Sequence, residues 1–163
     1  MHLYSTKSLW LLLLLACAAG AGCKKDNKPR SVPDETKLLT TGSWLLASYT
    51  LDSTGDGKPD RDLLAGTPPC QRDDHTTFLP DGTIRYESGN LKCTPGEPDS
   101  FTSGKWLLGT KNYNIRTLSF ETGGFYNPSY NVVEISSNAI VLTDTAVLAN
   151  GNPAKIFTTI YKH

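Results

Sequence analysis

The segment from Asp52 to Leu63 carries oxygen-bearing residues at the spacing of a calcium-binding loop. An EF-hand loop takes its ligands from positions 1, 3, 5, 7, 9 and 12 and has Gly at position 6. Counted from Asp52, these positions hold Asp52, Thr54, Asp56, the Lys58 carbonyl and Asp60, with Gly57 at position 6. Position 12 is Leu63 instead of a bidentate Glu, although Asp62 beside it could supply an oxygen. Two interpretations stay open: a weak calcium site formed by Asp52, Asp56, Asp60 and Asp62, with affinity of about 10⁻⁴ to 10⁻³ M, or a solvated, turn-rich loop.

Asp73, Asp74 and His75 form a second polar cluster whose residue types suit acid–base chemistry. Adjacent residues of a strand point to opposite faces, so Asp74 and His75 do not cooperate merely because they are neighbours. No nucleophile elbow, zinc-protease motif or phosphate-binding glycine loop accompanies them in the sequence. The cluster is therefore predicted to cap backbone amides where a loop enters a strand, and no enzymatic activity is predicted.

Cys70 and Cys93 flank a predicted hairpin whose turn contains Pro80, Asp81 and Gly82. A two-residue loop would place the two cysteines directly opposite each other, whereas a three-residue loop would offset them by one position. Either register brings them within reach of a disulfide, which would stabilise the fold by ~3 kcal/mol. Zinc binding is disfavoured because His75 is the only nearby imidazole and no CxxC spacing is present.

Residues 1–22 are predicted to be a signal peptide, because Lys7 precedes an apolar run that is too short to span a bilayer. The small residues before Cys23 resemble the lipobox of bacterial lipoproteins, which implies a diacylglyceryl group on that cysteine. Cys17 is the alternative attachment point. Cys23 is preferred because cleavage there leaves Cys70 and Cys93 as an even pair in an oxidising compartment. The resemblance implies a cell-envelope protein anchored to the outer membrane, on its periplasmic or surface face.

Composition limits the rest of the chain to one modest domain, which we place at residues 36–163, preceded by a flexible polar tether at 23–35. The full chain has 163 residues, 38% of them hydrophobic, and zero formal net charge. Lys7 is the single charged residue before the tether, so the mature chain stays nearly neutral. This balance argues against nucleic-acid binding, and a monomer is expected.

A short helical turn is predicted between Pro33 and Gly42, and everything after it has the pattern of short strands. The predicted strands are Ser43–Leu51, His75–Leu79, Thr83–Ser88, Phe101–Leu108, Asn114–Phe120, Ser129–Ile135, Ala139–Thr143 and Lys155–Tyr161. Tight turns rich in Gly, Asn, Pro and Asp join most of them. An all-β, eight-stranded antiparallel up-and-down barrel is therefore favoured over a two-sheet sandwich, which would need more long crossovers.

The GSW sequence at Gly42–Trp44 opens the first strand and resembles the GxW signature of lipocalins; it recurs as GKW at Gly104–Trp106. The ordered set GSWLL, DGKPD, CQRDDHTTFLPDGT, KC and SGKWLL resembles the lipocalin-like domain of many bacterial lipoproteins. This resemblance covers roughly residues 36–162 and implies a calycin-type barrel and an envelope location. Lipocalins also have an Arg that covers the Trp; Lys155 or Lys162 is a candidate for that position here.

The aromatic residues leave the state of the barrel interior open. Trp44 and Trp106 are predicted to pack in the core at the closed end of the barrel; the alternative, stacking on a ligand, would need one indole to face an open cavity. The other aromatic residues could line either a filled core or a pocket: Tyr86, Phe120, Tyr126, Tyr130 and Phe157. A cavity of ~300 Å³ or more would favour a lipid-anchored protein that binds a small apolar or amphipathic ligand. A packed interior with an exposed apolar patch would favour a structural role, with contacts to an envelope partner or a glycan-uptake complex.

Overall fold

The computed structural model describes residues 32–111, 114–123, 127–146 and 155–163, and nine strands lie within these ranges. The helical segments are α1 (Val32–Leu39), a 3-10 turn (Leu64–Gly66) and α2 (Pro69–Arg72). The strands are β1 (Trp44–Asp52), β2 (Arg61–Asp62), β3 (His75–Phe78), β4 (Thr83–Glu87), β5 (Ser100–Lys111), β6 (Ile115–Glu121), β7 (Ser129–Ile135), β8 (Ala139–Ala146) and β9 (Lys155–Lys162). The predictions for the signal peptide, Cys17 and Cys23 fall outside the described residues.

Eight of these strands close into an antiparallel barrel, which confirms the predicted fold class. Each strand from β3 to β8 pairs with the next along the chain, and β1 joins both β3 and β9. The eight predicted strands all appear, with ends that differ by at most three residues. The ninth strand, β2, is a two-residue addition that pairs with β1 through Thr50 and Leu51. Closure leaves no pair of stacked open sheets, so the sandwich alternative is wrong.

The seam between β1 and β3 is short, and this shapes the barrel wall. β1 pairs with β9 along its length, from Leu45 opposite Lys162 to Asp52 opposite Ile156. It pairs with β3 only at its first two residues, Trp44 and Leu45. Beyond Leu45, this edge of β1 faces β2 and the connection that follows it, where the Leu63 amide donates to the Tyr49 carbonyl at 2.8 Å. A non-strand segment, residues 63–74, therefore completes the wall.

The β3–β4 hairpin adopts the three-residue register, with Thr76 opposite Tyr86 and Phe78 opposite Ile84. Its turn is closed by the Gly82 amide, which donates to the Leu79 carbonyl at 3.0 Å. Gly82 has φ of 83°, a left-handed conformation that costs a glycine little. This register puts both Phe78 and Ile84 into the core.

The core occupies one end of the barrel. We call this the closed end, and it is formed by α1, the turns at 79–82 and 136–138, and His163. The most deeply buried apolar side chains are Leu39, Trp44, Phe78, Ile84, Leu118, Val132, Ile135, Ile140 and Leu142. Helix α1 covers this end by placing Leu39 against the strands. Because α1 begins at Val32, the last four residues assigned to the tether belong to the helix, and Glu35 is only 1% exposed. No helix in the described part of the chain is long and apolar enough to span a bilayer.

Candidate ligand-binding cavity

A cavity of about 380 Å³ opens where β1 and β3 separate. Five strands contribute one inner residue each, and the segments 67–74 and 93–97 form the rim. The lining residues are Leu46, Thr67, Gln71, Asp74, Thr76, Tyr86, Cys93, Glu97, Phe101 and Tyr161. The volume exceeds the ~300 Å³ expected of a small-molecule site. The structure therefore combines a packed closed end with a hollow beside the seam.

Two cross-strand pairs form the inner part of the cavity. Leu46 on β1 lies opposite Tyr161 on β9, and Thr76 on β3 lies opposite Tyr86 on β4. Burial raises the pKa of the Tyr161 phenol, and the neighbouring Tyr86 and Tyr130 raise it further. Tyr161 is therefore neutral at any physiological pH and offers a ligand an aromatic surface with a polar hydroxyl.

Phe101 extends the aromatic lining to the mouth of the cavity. It lies opposite Tyr86 across the β4–β5 ladder, and the two rings stack with centroids 5.5 Å apart and planes 26° apart. Phe101 is 48% exposed, which is unusual for a phenylalanine in a small domain. The mouth thus presents an aromatic surface that is open to solvent.

The rim is held by a disulfide between Cys70 and Cys93, whose Cα atoms lie 5.1 Å apart. Cys70 is in α2 and Cys93 is in the loop after β4, so neither belongs to the ladder used to predict the bridge. The predicted pairing is found, but the strand register stops at His75 opposite Glu87, before either cysteine. The bridge therefore joins the segment that completes the wall to the loop at the mouth.

Asp73 and Asp74 strengthen the same junction by accepting backbone hydrogen bonds. The Gly89 amide donates to Oδ1 of Asp74 at 3.0 Å, and the Leu91 amide donates to Oδ2 of Asp73 at 3.0 Å. A side chain at position 89 would collide with Asp73, so the close approach requires glycine. The two carboxylates thus cap amides at a loop-to-strand junction, as predicted. His75 lines a separate groove on the outer face of the barrel with Glu87.

Neither tryptophan lines the cavity. Trp44 is fully buried, and its indole donates to the Leu39 carbonyl at 2.9 Å. The ring that lies over it belongs to His163, with a tilt of 32° between the two planes. The predicted candidates for this place were Lys155 and Lys162, and Lys162 is the residue before His163. The Trp106 indole donates to the Leu79 carbonyl at 2.9 Å and ties β5 to the turn of the β3–β4 hairpin.

The other predicted aromatic residues pack among themselves inside the barrel. Phe120 lies 6.0 Å from Phe78 and 5.5 Å from Tyr130, measured between ring centroids. Phe157 stacks on Tyr49 with centroids 6.3 Å apart. Of the predicted pocket residues, Tyr86 is the one on the cavity, and Tyr126 lies outside the described residues. The pattern did not reveal Phe101 or Tyr161. Phe101 lies opposite Tyr86 across the β4–β5 ladder, and the long connection between these strands gives no register that could be read from the sequence.

The carboxylates of the Asp52–Leu63 loop are directed at the amides of that loop. Asp52 accepts hydrogen bonds from the amides of Thr54, Gly55 and Gly57 at 2.6 to 3.1 Å. Burial would raise the pKa of Asp52, but these bonds together lower it below the ordinary value. The remaining acids are engaged in similar local bonds: Asp60 with Ser53, Asp56 with the Lys58 amide, and Asp62 with the Ala65 amide.

This arrangement gives the calcium prediction a specific requirement. Within the described residues, no group of three or more His, Cys, Asp or Glu side chains converges on a point that could hold a metal ion. A calcium ion would therefore have to replace amide donors around Asp52 and draw in Asp56 and Asp60. The calcium site stays a prediction.

No protein-family model and no curated protein matches this chain. The lipocalin-like lipoprotein resemblance consequently stays a prediction that depends on the sequence motifs.

Proposed function

We propose that this protein is a lipid-anchored envelope protein that holds a small apolar or amphipathic molecule in the cavity beside the β1–β3 seam. The observation that carries the proposal is a cavity of about 380 Å³ in a barrel whose other end is filled. Its inner surface combines the aromatic rings of Tyr86 and Tyr161 with the aliphatic Leu46 and the hydroxyl of Thr76. Mostly apolar walls with a few placed polar groups are typical of small-molecule sites.

Binding is tested with N-phenyl-1-naphthylamine, a neutral fluorophore whose emission rises in apolar surroundings. We expect saturable binding to the mature domain. Leu46→Trp should fill the cavity and abolish binding, whereas the matched variant Leu45→Trp should bind normally, because Leu45 lines the groove outside the barrel. Equal binding by both variants would contradict the proposed site, provided that circular dichroism shows both are folded.

The natural ligand is sought by native mass spectrometry of protein purified from its own host. A discrete mass excess that is lost on denaturation would support the proposal, and Leu46→Trp purified in parallel should lack it. A protein that neither retains a ligand nor binds the fluorophore would contradict the binding function.

The anchor is proposed to be Cys23. Cleavage before Cys23 would leave three cysteines in the mature chain: Cys23, Cys70 and Cys93. Cys70 and Cys93 bond to each other, so a lipid on Cys23 would leave no free thiol among them. A lipid on Cys17 would instead leave Cys23 as a free thiol in an oxidising compartment. Mass spectrometry of the mature N-terminus should find the diacylglyceryl group on Cys23 in wild type and no lipid in Cys23→Ser.

A structural or interaction role is the second candidate, because three neighbouring strands expose apolar side chains on the outer wall. Leu107 on β5, Ile115 on β6 and Val133 on β7 are 64%, 47% and 55% exposed. A photocrosslinker at position 107 should label a partner in the native envelope under this hypothesis, and one at the exposed position 145 should not. Absence of labelling at both positions would contradict the interaction hypothesis.

A further inference from the structure

The cavity combines negative charge with aromatic rings. Asp74 and Glu97 are the acidic side chains among its lining residues, and no Lys, Arg or His lines it among the described residues. Three cations are close to these residues in sequence: Arg85 pairs with Glu87 at 2.7 Å, Lys92 pairs with Asp99 at 2.8 Å, and Arg72 lines the separate groove on the outer face. A ligand in this cavity therefore meets negative charge without a compensating positive charge on the lining.

Both carboxylates are held in place by backbone amides. Asp74 accepts the Gly89 amide through Oδ1, at 3.0 Å. Glu97 accepts the amides of Cys93 and Thr94 through Oε2, at 2.7 and 3.3 Å. Since the disulfide fixes the same loop, the two charges are preorganised at the mouth before any ligand arrives.

Aromatic rings share the cavity lining with the two carboxylates. Tyr86 and Phe101 stack on each other at the mouth, and Tyr161 lies further in. Aromatic faces attract cations, and this attraction strengthens where water is excluded. The charge of Asp74 also acts on Tyr86. Burial raises the pKa of the Tyr86 phenol, a hydrogen bond with Thr76 opposes this rise, and the negative charge of Asp74 increases the pKa further. An anionic ligand group at this place would experience the same repulsion.

We propose that the cavity selects cationic amphiphiles, namely molecules with a protonated amine or quaternary ammonium group attached to an apolar chain or ring. The cationic group lies between Asp74, Glu97 and the stacked pair Tyr86–Phe101, and the apolar part extends toward Leu46 and Tyr161. This inference rests on the proposed binding function and adds the charge class of the ligand.

The test compares three probes that share an eight-carbon chain: octyltrimethylammonium, 1-octanol and octanoate. The two ions are titrated by calorimetry below their micelle concentrations, and 1-octanol is titrated below its solubility limit. We expect octyltrimethylammonium to bind about tenfold more tightly than 1-octanol, because a carboxylate at close range attracts a cation more strongly where the local dielectric is lower than in bulk water. Octanoate should bind most weakly of the three. If octanoate or 1-octanol binds as tightly as the cation, the inference about charge is overturned and the binding function is left intact.

Charge-neutralising variants locate the effect. Asp74→Asn and Glu97→Gln keep an oxygen that can accept the backbone amides, and each should weaken the cation about fivefold while leaving 1-octanol unchanged. Glu87→Gln is the matched control, since Glu87 lines the outer groove and pairs with Arg85. Unchanged cation binding in both cavity variants, or an equal loss in the control, would refute the assigned site.

An aromatic variant separates the second contribution. Phe101→Leu keeps an apolar side chain of similar size, so it should reduce binding of the cation more than that of 1-octanol. If none of the three probes nor N-phenyl-1-naphthylamine binds, the proposed binding function itself fails. If the neutral fluorophore binds and the cation does not, only the inference about charge fails.

Discussion

The imidazole of His163 lies on the indole of Trp44, with ring centroids 3.8 Å apart. Nδ1 of His163 is also 2.9 Å from the Ser43 carbonyl, so the residue just after β9 is fixed to the chain just before β1. Trp44 in turn donates its indole proton to the Leu39 carbonyl at the end of α1. One aromatic contact therefore joins His163, the first strand and the helix that covers the closed end.

Removal of the His163 side chain should destabilise the barrel. We expect His163→Ala to lower the free energy of unfolding by about 1 to 2 kcal/mol, because it loses an aromatic contact and a hydrogen bond to a backbone carbonyl. Urea denaturation followed by tryptophan fluorescence measures the change. Lys162→Ala is the control, since Lys162 is exposed like His163 but has no ring to place on Trp44. Equal effects of the two substitutions would contradict a specific role for the His163 ring on Trp44.

The ion pair between Glu35 and Arg116 should be the most sensitive charged contact. Glu35 on α1 is fully buried, and Arg116 on β6 also donates to the Val133 carbonyl at 3.0 Å. Arg116→Met should cost about 3 kcal/mol, because it leaves a buried carboxylate without its partner. The double variant Glu35→Leu/Arg116→Met should recover most of this loss. Chemical denaturation of both variants checks the prediction.

A matched control uses the exposed ion pair between Arg85 and Glu87. Breaking it with Arg85→Gln should change stability by less than about 1 kcal/mol, because water screens both charges. A loss in Arg85→Gln as large as that in Arg116→Met would show that burial of Glu35 is not the decisive factor.

The disulfide should support both stability and the cavity. Replacing Cys70 and Cys93 together by Ser should lower the free energy of unfolding by ~3 kcal/mol, as expected for a bridge between residues 23 positions apart. The variant should also bind N-phenyl-1-naphthylamine more weakly, because the rim segment loses its link to the loop at the mouth. Reduction of wild type should reproduce both effects. A free-thiol count of two in non-reduced protein would refute the bridge.

Local sequence patterns predicted the strands well because alternation, Gly-containing turns and β-branched residues act over a few positions. The hairpin around Gly82 was accessible for the same reason. Cys70 and Cys93 are bonded as predicted, although the strand ladder used to predict the bridge ends at His75 and Glu87, before either cysteine. The cavity was not accessible from local patterns, since it results from the short β1–β3 seam, and that seam depends on where strands far apart in sequence stop pairing. Phe101 and Tyr161 line the cavity only because of this closure. Similarly, no local pattern connects His163 to Trp44, 119 positions earlier.

The Asp52 loop should loosen at acid pH. The pKa values of Asp52 and Asp60 lie below the ordinary 3.8, so their hydrogen bonds stabilise the folded loop fully above that pH. This stabilisation is lost as the pH falls through the lower folded values, because the protonated carboxyls accept amides poorly. Hydrogen exchange of the Gly55 and Gly57 amides, expressed as protection relative to intrinsic rates, should show the loss.

The control for this acid effect lies at the other end of the barrel. Protection of the Trp106 amide, which donates to the Gly82 carbonyl at 2.7 Å, should persist until the whole domain unfolds. In Asp52→Asn the two loop amides should be less protected at neutral pH and should depend little on pH. Simultaneous loss of protection at Gly55 and Trp106 would show global unfolding in place of loop opening.

Calcium binding to the same loop is tested by calorimetry at millimolar calcium. A site would require the Asp52 carboxylate to exchange the amides of Gly55 and Gly57 for the cation, with oxygen atoms from Asp56 and Asp60 completing the ligands. Wild type should then release heat and melt at a higher temperature with calcium, because Asp56 can leave its local bond to the Lys58 amide at little cost and bind the ion. Asp56→Ala lacks this carboxylate, so it should show neither effect. Magnesium at the same concentration should have a smaller effect, since it demands a tighter octahedral set of ligands. An absence of heat and of any melting shift in wild type would leave the loop with the structural role that its amide bonds already give it.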